Sequence, residues 1–141
     1  MKSKVFIDSS FWIALIDNSD SLHTQATNLV NNPKWSNWNF FTSDSVLIEC
    51  LTRLKKKINC RAAETFYRFI LRYQLKNILT VYHSDESIFK KAYVIFKSNP
   101  LSTFTFTDAH IVALMKTRKT HLLITFDQDF RKIKPKIITV P

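Results

Sequence analysis

The sequence has 141 residues, of which 45% are hydrophobic, so it is long and apolar enough to form one folded domain over 1–141. It contains no Gly, which excludes the Gly-rich phosphate loops of dinucleotide-binding and P-loop enzymes. Cys50 and Cys60 fit free thiols, and no apolar run reaches the roughly 18 residues of a membrane-spanning helix. These features predict a cytoplasmic protein without a membrane segment.

The chain is strongly basic, with 21 Lys and Arg residues against 11 Asp and Glu residues and a net charge of +10. Such an excess indicates a partner that is a nucleic acid or an acidic protein, although solvated helix faces alone also produce one. The excess is greatest over residues 53–76, where Glu64 is the one acid. The basic residues of that segment are Arg53, Lys55, Lys56, Lys57, Arg61, Arg68, Arg72 and Lys76.

The hydrophobic pattern predicts strands separated by helices. In chain order they are a strand at 4–8, helices at 9–17 and 21–31, a strand at 40–42, helices at 44–57 and 60–76, a strand at 78–82, helices at 85–97 and 107–118, and strands at 121–125 and 136–140. Ser43 or Asp44 caps the third helix, and Thr107 caps the last one. This alternation predicts an α/β protein with a mainly parallel sheet.

Two acidic residues come directly after predicted strands. Asp8 follows the strand residues 5–7, and Asp127 follows the strand residues 122–125. In a parallel sheet the carboxyl ends of the strands lie on one edge, where ligands bind, so both carboxylates are expected there. Each of them taken alone also fits a residue that caps the helix after it.

Asp108 lies at the start of the last predicted helix, on its apolar side. Ile111, Val112 and Met115 follow it by three, four and seven residues, and these positions share one helix face. A carboxylate among apolar side chains needs a charge partner, a hydrogen-bond donor, a metal or a proton. Backbone N–H groups of the first turn are the structural alternative to a functional role.

Glu49 shows the opposite pattern in the helix over 44–57. The apolar stripe of this helix contains Leu47, Cys50 and Leu54, and Glu49 points away from it. Arg53 follows Glu49 by four residues, a spacing that favours a solvated ion pair. Periodicity therefore does not nominate Glu49 for a site.

Two other kinds of active site fit the sequence poorly. The histidines show no zinc-ligand spacing and are predicted to be structural or surface residues. They are His23, His83, His110 and His121. Aspartyl-phosphate enzymes of the haloacid dehalogenase type resemble a strand-end D-x-D, whereas Asp8 is followed by two serines.

Four stretches together resemble the PIN-domain family, and especially the VapC-type toxins of prokaryotic toxin–antitoxin pairs. They are VFIDSSFWIALID, TSDSVLIECLTRL, TDAHIVALM and LLITFDQDF, in the order and at the intervals of that family. The resemblance runs from residue 4 to residue 139. It implies a PIN-like three-layer α/β/α sandwich with a short, mainly parallel sheet, and an acidic cluster that binds Mg²⁺ or Mn²⁺ and cleaves RNA.

The resemblance also implies roles for individual residues. The catalytic acids are Asp8, Glu49, Asp108 and Asp127. The metal ligands are Asp8, Asp108 and Asp127. The supporting residues are Ser10, Thr125 and Asp129. Asp129 also competes with Asp127 for the fourth acidic position, and the role for Glu49 opposes the interpretation from periodicity.

The same resemblance implies partners besides RNA, namely a small antitoxin protein and a second copy of the chain in a homodimer. The residues expected to contact RNA or the antitoxin are Arg53, Lys55, Lys56 and Lys57. The main alternative to a nuclease is a basic RNA-binding or antitoxin-binding module that has this fold and little or no nuclease activity.

Overall fold

The computed structural model describes residues 2–133 and the backbone of residues 138–140. The elements in chain order are β1 (Ser3–Ile7), α1 (Ser9–Ile16), α2 (His23–Val30), β2 (Trp38–Ser43), α3 (Asp44–Lys57), α4 (Cys60–Leu75), β3 (Leu79–Tyr82), α5 (Glu86–Ser98), α6 (Phe106–Thr117), β4 (Leu122–Ile124) and β5 (Ile138–Val140). Short 3-10 turns cover Pro33–Asn37 and Gln128–Lys132. The predicted order of strands and helices is confirmed, and positions 136 and 137 of the last predicted strand lie outside the described residues.

The strands form one parallel sheet in the order β3-β2-β1-β4-β5. The chain runs from β1 outward to β2 and β3, then returns to place β4 on the other side of β1. Because crossovers between parallel strands are right-handed almost without exception, these two directions place α1–α4 on one face of the sheet and α5–α6 on the other. The predicted three-layer sandwich is confirmed, and strand order reverses at the carboxyl ends of β1 and β4, where open α/β sheets bind ligands.

The sheet is buried on both faces because helices cover both of them. Val5, Phe6 and Ile7 of the central strand are fully buried. A parallel strand of this kind is apolar without alternation, which is why the pattern around β1 reads as a continuous hydrophobic run. None of the helices in the described residues is long and apolar enough to cross a membrane.

The cap of helix α6 is Thr105, two residues before the predicted cap Thr107, and the helix begins at Phe106. The Thr105 hydroxyl accepts a hydrogen bond from the backbone N–H of Asp108 at 3.1 Å. Oδ2 of Asp108 accepts one from the backbone N–H of Thr105 at 2.8 Å. This reciprocal arrangement satisfies two N–H groups that a cap at Thr107 would leave free, and it fixes Asp108 in the first turn.

Two helices end in a left-handed residue although the chain has no Gly. Asn77 after α4 and Lys119 after α6 have φ values of 56° and 53°. The next residue in each case donates its N–H to a carbonyl five residues earlier, from Ile78 to Tyr73 and from Thr120 to Met115. These bonds close the last helical turns, and they hold non-Gly residues in a conformation that usually selects Gly.

Candidate active site

Asp8 lies at the carboxyl end of the central strand, where β1 passes into α1. Its backbone N–H donates to the Ile124 carbonyl on β4 at 3.0 Å, and the residue is only 3% exposed. Oδ1 accepts a hydrogen bond from the backbone N–H of Ser9 at 2.6 Å. Oδ2 accepts hydrogen bonds from the hydroxyls of Ser10 at 3.0 Å and Thr125 at 2.7 Å. The carboxylate is therefore held in one orientation by donors from the first turn of α1 and from the residue after β4.

The two hydroxyls that contact Asp8 also organise the loop after β4. Thr125 Oγ1 accepts a hydrogen bond from the backbone N–H of Asp127 at 3.0 Å. Ser10 Oγ accepts one from the backbone N–H of Phe126 at 3.0 Å, and the two hydroxyl oxygens are 3.2 Å apart. The structure thus brings Ser10 and Thr125 beside the first acid, in the arrangement expected of supporting residues.

Asp108 reaches the same edge of the sheet from the first turn of α6 and is 7% exposed. Burial is the main cause that raises the pKa of its carboxyl to about 7, and the negative charges of Asp8 and Asp127 contribute to that value. Hydrogen bonds from Thr105 oppose this shift without cancelling it. The prediction that Asp108 is a buried acid is confirmed. Asp108 therefore caps α6 through Thr105, as the structural alternative expects, and it also interacts electrostatically with Asp8 and Asp127.

Asp8 has the same electrostatic character as Asp108. Burial raises the pKa of its carboxyl, and the negative charge of Asp127 adds to that effect. Hydrogen bonds from Thr125, Ser10 and Ser9 lower the pKa but do not reverse its direction. The negative charge of Asp127 therefore disfavours ionisation of both Asp8 and Asp108, and the charge of Asp8 acts on Asp108 as well.

Asp127 and Asp129 have different surroundings. Asp127 caps the 3-10 turn by accepting a hydrogen bond from the Asp129 backbone N–H at 2.9 Å, and its charge acts on Asp8 and Asp108. The Asp129 carboxylate instead accepts a hydrogen bond from Thr103 at 2.5 Å and lies 3.7 Å from the Lys132 ammonium. These contacts favour Asp127 for the fourth acidic position.

Glu49 forms the ion pair that periodicity predicts, with 3.2 Å between its carboxylate and the Arg53 guanidinium. Its neighbour in the chain, Cys50, lies near the site. The thiol of Cys50, whose pKa is raised mainly by burial, is raised further by the negative charges of Asp8 and Glu49. Its Sγ atom lies 3.9 Å from the Ser9 carbonyl, beside Asp8. Glu49 is therefore one position from a residue that lies beside Asp8, and its own carboxylate is paired with Arg53.

The donor set fits a hard divalent cation. In the described residues no group of three His, Cys, Asp or Glu side chains has the geometry to hold a metal ion alone. Mg²⁺ does not need one, because it commonly takes one or two carboxylates and keeps several waters. Asp8 and Asp108 provide buried carboxylates whose negative charges oppose each other, and a cation between them would remove that cost.

The basic residues of α3 have unequal roles. Lys57 binds the buried Asp17 at 2.8 Å and lies 3.7 Å from Asp20, so its ammonium ties the end of α3 to the end of α1. Lys55 and Lys56 are exposed on the same turn. The structure therefore leaves Lys55 and Lys56 better suited than Lys57 to contact a phosphate or an acidic partner.

Two polar contacts near the acids were not found from the sequence. The T-x-x-D spacing of Thr105 and Asp108 is a capping-box pattern and could have identified the correct start of α6. The contact between His110 and Ser45, with 2.6 Å between Nδ1 and Oγ, has no such local signal because 65 positions separate the two residues.

Comparison with known proteins agrees with this geometry. The family model described as PIN domain matches residues 5–135. The chain belongs to the PIN-domain family. The family inferred from the four sequence stretches is thereby confirmed, and the match includes every acid of the candidate site.

Relatives of this PIN-domain chain include toxins with known structures. The 23S rRNA-specific endonuclease VapC20 of Mycobacterium tuberculosis is 28% identical over 127 residues, which cover 89% of this chain and 91% of that protein. The crystal structure of VapC20, a sarcin-ricin loop cleaving toxin, matches with a TM-score of 0.78 at 26% identity, covering 91% and 93% of the two chains. VapBC2 from Rickettsia felis, bound to a DNA fragment from its promoter, matches at a TM-score of 0.66 and 13% identity over 97% of each chain. This second likeness shows the fold alone.

Proposed function

We propose that this protein is a metal-dependent endoribonuclease that acts as the toxin of a toxin–antitoxin pair. The observation that carries the proposal is the convergence of Asp8, Asp108 and Asp127 from separate elements: burial, together with the negative charges of Asp8 and Asp127, raises the pKa of Asp108 to about 7. A chain of net charge +10 that gathers acids at one sheet edge is suited to hold a cation there and a polyanion around it.

The residues divide the work of hydrolysis between them. Asp8 and Asp108 would hold Mg²⁺ or Mn²⁺, and Ser10 and Thr125 keep Asp8 oriented toward it. When bound, such an ion lowers the pKa of a coordinated water and neutralises charge on a phosphodiester. Asp127 is placed to act as a further ligand or to orient a water molecule.

RNA is the substrate class that the proposal favours. VapC20 is an endonuclease of 23S rRNA, and we extend RNA cleavage, without its particular site, to this chain. The exposed Lys55 and Lys56 offer contacts for the phosphates on either side of the cleaved bond. The free thiols Cys50 and Cys60 and an RNA substrate together suit the cytosol.

Two protein partners belong to the proposal. A small antitoxin would cover the acidic site and use the basic face of α3 and α4. A second copy of the chain would use α5, where Phe89, Tyr93 and Phe96 form one exposed stripe at helical spacing. These side chains are 56%, 52% and 39% exposed, and such stripes mark interaction sites.

The homodimer has a direct test in Phe89→Lys. This substitution places a charge at one end of the stripe and is expected to convert a dimer into a monomer, with the mass measured by light scattering. Lys90→Gln, on the neighbouring exposed face of α5, is the control that should leave the mass unchanged. A Phe89→Lys protein that stays dimeric would place the second copy elsewhere.

A binding module with little nuclease activity is the second candidate function. It is favoured by the ion pair of Glu49 with Arg53, which occupies the acid that α3 would otherwise contribute. The two candidates differ in whether bound RNA is cut when a divalent metal is present.

The deciding experiment incubates the purified, antitoxin-free protein with total RNA in Mg²⁺, in Mn²⁺ and in EDTA, followed by mapping of the new RNA ends. The nuclease proposal expects defined ends with either metal and none in EDTA. Asp8→Asn protein purified in the same way controls for a contaminating nuclease. Cleavage at an equal rate in EDTA would refute the metal-dependent mechanism, and RNA binding without cleavage would favour the binding module.

A further inference from the structure

A buried polar contact joins the two helices that carry Glu49 and Asp108. Nδ1 of His110 on α6 lies 2.6 Å from the Ser45 hydroxyl on α3, and His110 is only 3% exposed. The Ser45 hydroxyl is also 2.9 Å from the hydroxyl of Ser43, the residue that caps α3. The contact therefore connects the beginning of α6 with the beginning of α3.

Packing alone does not account for an imidazole at this position. The residues on either side of His110, Ala109 and Ile111, are fully buried and apolar. An apolar residue could fill the same space without the cost of removing a polar ring from water, and one hydrogen bond repays only part of that cost. Nε2 of His110 is buried without a described protein partner. The Nδ1 contact is thus the feature that an apolar residue could not supply.

The contact is also in a position to set the rotation of α6. His110 follows Asp108 by two residues, so their side chains leave the helix about 200° apart. Asp108 faces Asp8 and Asp127, whereas His110 faces α3. In the described residues the contact between His110 and Ser45 is the one side-chain hydrogen bond between α3 and α6. A helix anchored on the side opposite to its carboxylate can neither roll nor slide without breaking that bond.

We propose that His110 is a positioning residue, which through its hydrogen bond to Ser45 holds Asp108 of α6 at a fixed place relative to Asp8 and to Glu49 of α3. This inference rests on the proposed nuclease function and deepens it. His110 touches neither the substrate nor the metal in this role. It acts through Asp108. The Asp108 carboxylate is also held by a hydrogen bond from the backbone N–H of Thr105, the residue that caps α6.

The test compares variants that keep or remove the hydrogen bond. His110→Leu and Ser45→Ala each remove it, whereas His110→Asn places an amide near the position of Nδ1 and Ser45→Thr keeps the hydroxyl. Cleavage of one RNA oligonucleotide is measured in Mg²⁺, well below the melting temperature of every variant. We expect His110→Leu and Ser45→Ala to lower kcat roughly 10- to 100-fold with little change in KM, as for other residues that orient a metal ligand.

The double variant separates positioning from independent damage. If the two residues act through one contact, His110→Leu with Ser45→Ala is no slower than the worse single variant. The conservative variants His110→Asn and Ser45→Thr should recover most of the lost kcat. Thr120→Val is the matched control, because Thr120 is also buried and its hydroxyl has no hydrogen-bond partner among the described residues, but it lies beyond the far end of α6.

A second measurement does not depend on cleavage. The rise in melting temperature that Mg²⁺ alone produces reports how well the acids are placed to bind it. His110→Leu and Ser45→Ala should show a smaller rise than the wild type, and Thr120→Val should show the same rise. This readout also covers a variant whose cleavage is too slow to measure.

The outcomes distinguish the two proposals. Variants that melt lower but keep the wild-type kcat and Mg²⁺ response would show that His110 is merely structural and would overturn the positioning role. Single-variant losses that multiply in the double variant would overturn it as well. Failure of the proposed function looks different, because the wild type itself would then cleave no RNA and gain no stability from Mg²⁺.

Discussion

The two ends of α1 carry aspartates that are equally buried and have opposite electrostatic environments. Asp8 before the helix and Asp17 after it are each 3% exposed. The Lys57 ammonium and the Ser19 side chain lower the pKa of Asp17 to about 2. Burial raises the pKa of Asp8, which has hydroxyl donors and a neighbouring acid around it instead of a cation. The charge of Asp17 is balanced by a lysine of the same chain, whereas no cation among the described contacts balances the charge of Asp8.

The difference shows that burial of an acid does not by itself identify a site. A carboxylate at the carboxyl end of a helix opposes the helix dipole, so Asp17 is tolerated there because Lys57 binds it at 2.8 Å. Asp8 has a favourable helix terminus yet remains coupled to Asp127 and Asp108. Unbalanced negative charge gathered from several elements is the better indicator of function.

Replacing the two aspartates should give opposite phenotypes. Asp8→Asn is expected to lower RNA cleavage by more than about 100-fold while the protein stays folded, because the amide keeps the size but is a poor metal ligand. Asp17→Asn should keep cleavage and lower the melting temperature by a few degrees, because Lys57 loses its closest partner. Cleavage and melting of both variants, measured in the same buffer, check the pair.

The comparison fails if the phenotypes are exchanged. Cleavage by Asp8→Asn at the wild-type rate would remove Asp8 from the chemistry. Loss of cleavage in a folded Asp17→Asn protein would mean that the contact of Lys57 with Asp17 also shapes the site.

Asp127 and Asp129 provide a second contrast at shorter range. Asp127→Asn should reduce cleavage strongly because its charge acts on both Asp8 and Asp108. Asp129→Asn should have a smaller effect, since its carboxylate is engaged by Thr103 and Lys132. Single-turnover rates of the two proteins with one oligonucleotide decide the assignment. A dead Asp129→Asn beside an active Asp127→Asn would exchange their roles.

Asp108 and Asp17 predict opposite pH dependences for the metal-free protein. The folded pKa of Asp108, about 7, is above the ordinary value of 3.8, so its charge destabilises the fold above pH 7 and this loss disappears as pH falls toward 4. Asp17 has a depressed pKa, so its stabilising effect is present above about pH 4 and is lost as pH falls through 2. Asp108→Asn should therefore melt a few degrees higher than the wild type at about pH 8 in EDTA, with no difference near pH 4.

Mg²⁺ sharpens the same measurement. Excess Mg²⁺ should stabilise the wild type more than Asp108→Asn, because the wild type has both buried carboxylates. An Asp108→Asn protein that melts lower than the wild type at about pH 8 in EDTA would show that the capping contact with Thr105 outweighs charge repulsion. Asp108 would then be a structural acid, as Asp17 is.

The smallest expected effect concerns the lysines at the end of α3. Replacing Lys55 and Lys56 together by Gln should weaken RNA binding and reduce its salt dependence by up to about one unit of slope per lost phosphate contact. Lys57→Gln should instead lower the melting temperature and leave the slope almost unchanged, since Asp17 already occupies its ammonium. All three proteins, namely the reference and the two lysine variants, carry Asp8→Asn so that they bind RNA without cutting it. The slope of each is measured from binding over a salt series. Equal slopes for all three proteins would place RNA on another surface.

Strand ends and helix faces made much of this structure predictable. Asp8 and Asp127 could be placed on one edge because parallel strands expose their carboxyl ends together, and the sheet has that arrangement. Asp108 could be predicted to be buried from the residues three, four and seven positions after it. Glu49 pairs with Arg53 as its spacing predicts, and its catalytic role remains a prediction that rests on family resemblance.

Contacts between distant elements could not be predicted in the same way. Lys57 belonged to a run of three lysines with no local sign that Asp17 would bind it, because the end of α1 meets the end of α3 only in the folded chain. The start of α6 was misplaced because Thr105 and Thr107 both fit a helix cap. The capping-box spacing of Thr105 and Asp108, three positions apart, distinguishes them, and the structure has that reciprocal contact.

The hydrogen bond from Thr125 to Asp8 spans 117 positions of the chain, and this has a consequence for protein synthesis. A ribosome makes Asp8 first and adds those positions at roughly 5–20 residues per second, so about 6–23 s pass before the partner of Asp8 exists. Asp108 and Asp127 arrive in the same late interval. A nascent chain therefore carries Asp8 with its donors Ser9 and Ser10 well before Asp108, Thr125 and Asp127 exist, and the cluster of three carboxylates cannot form until residue 127 has been added.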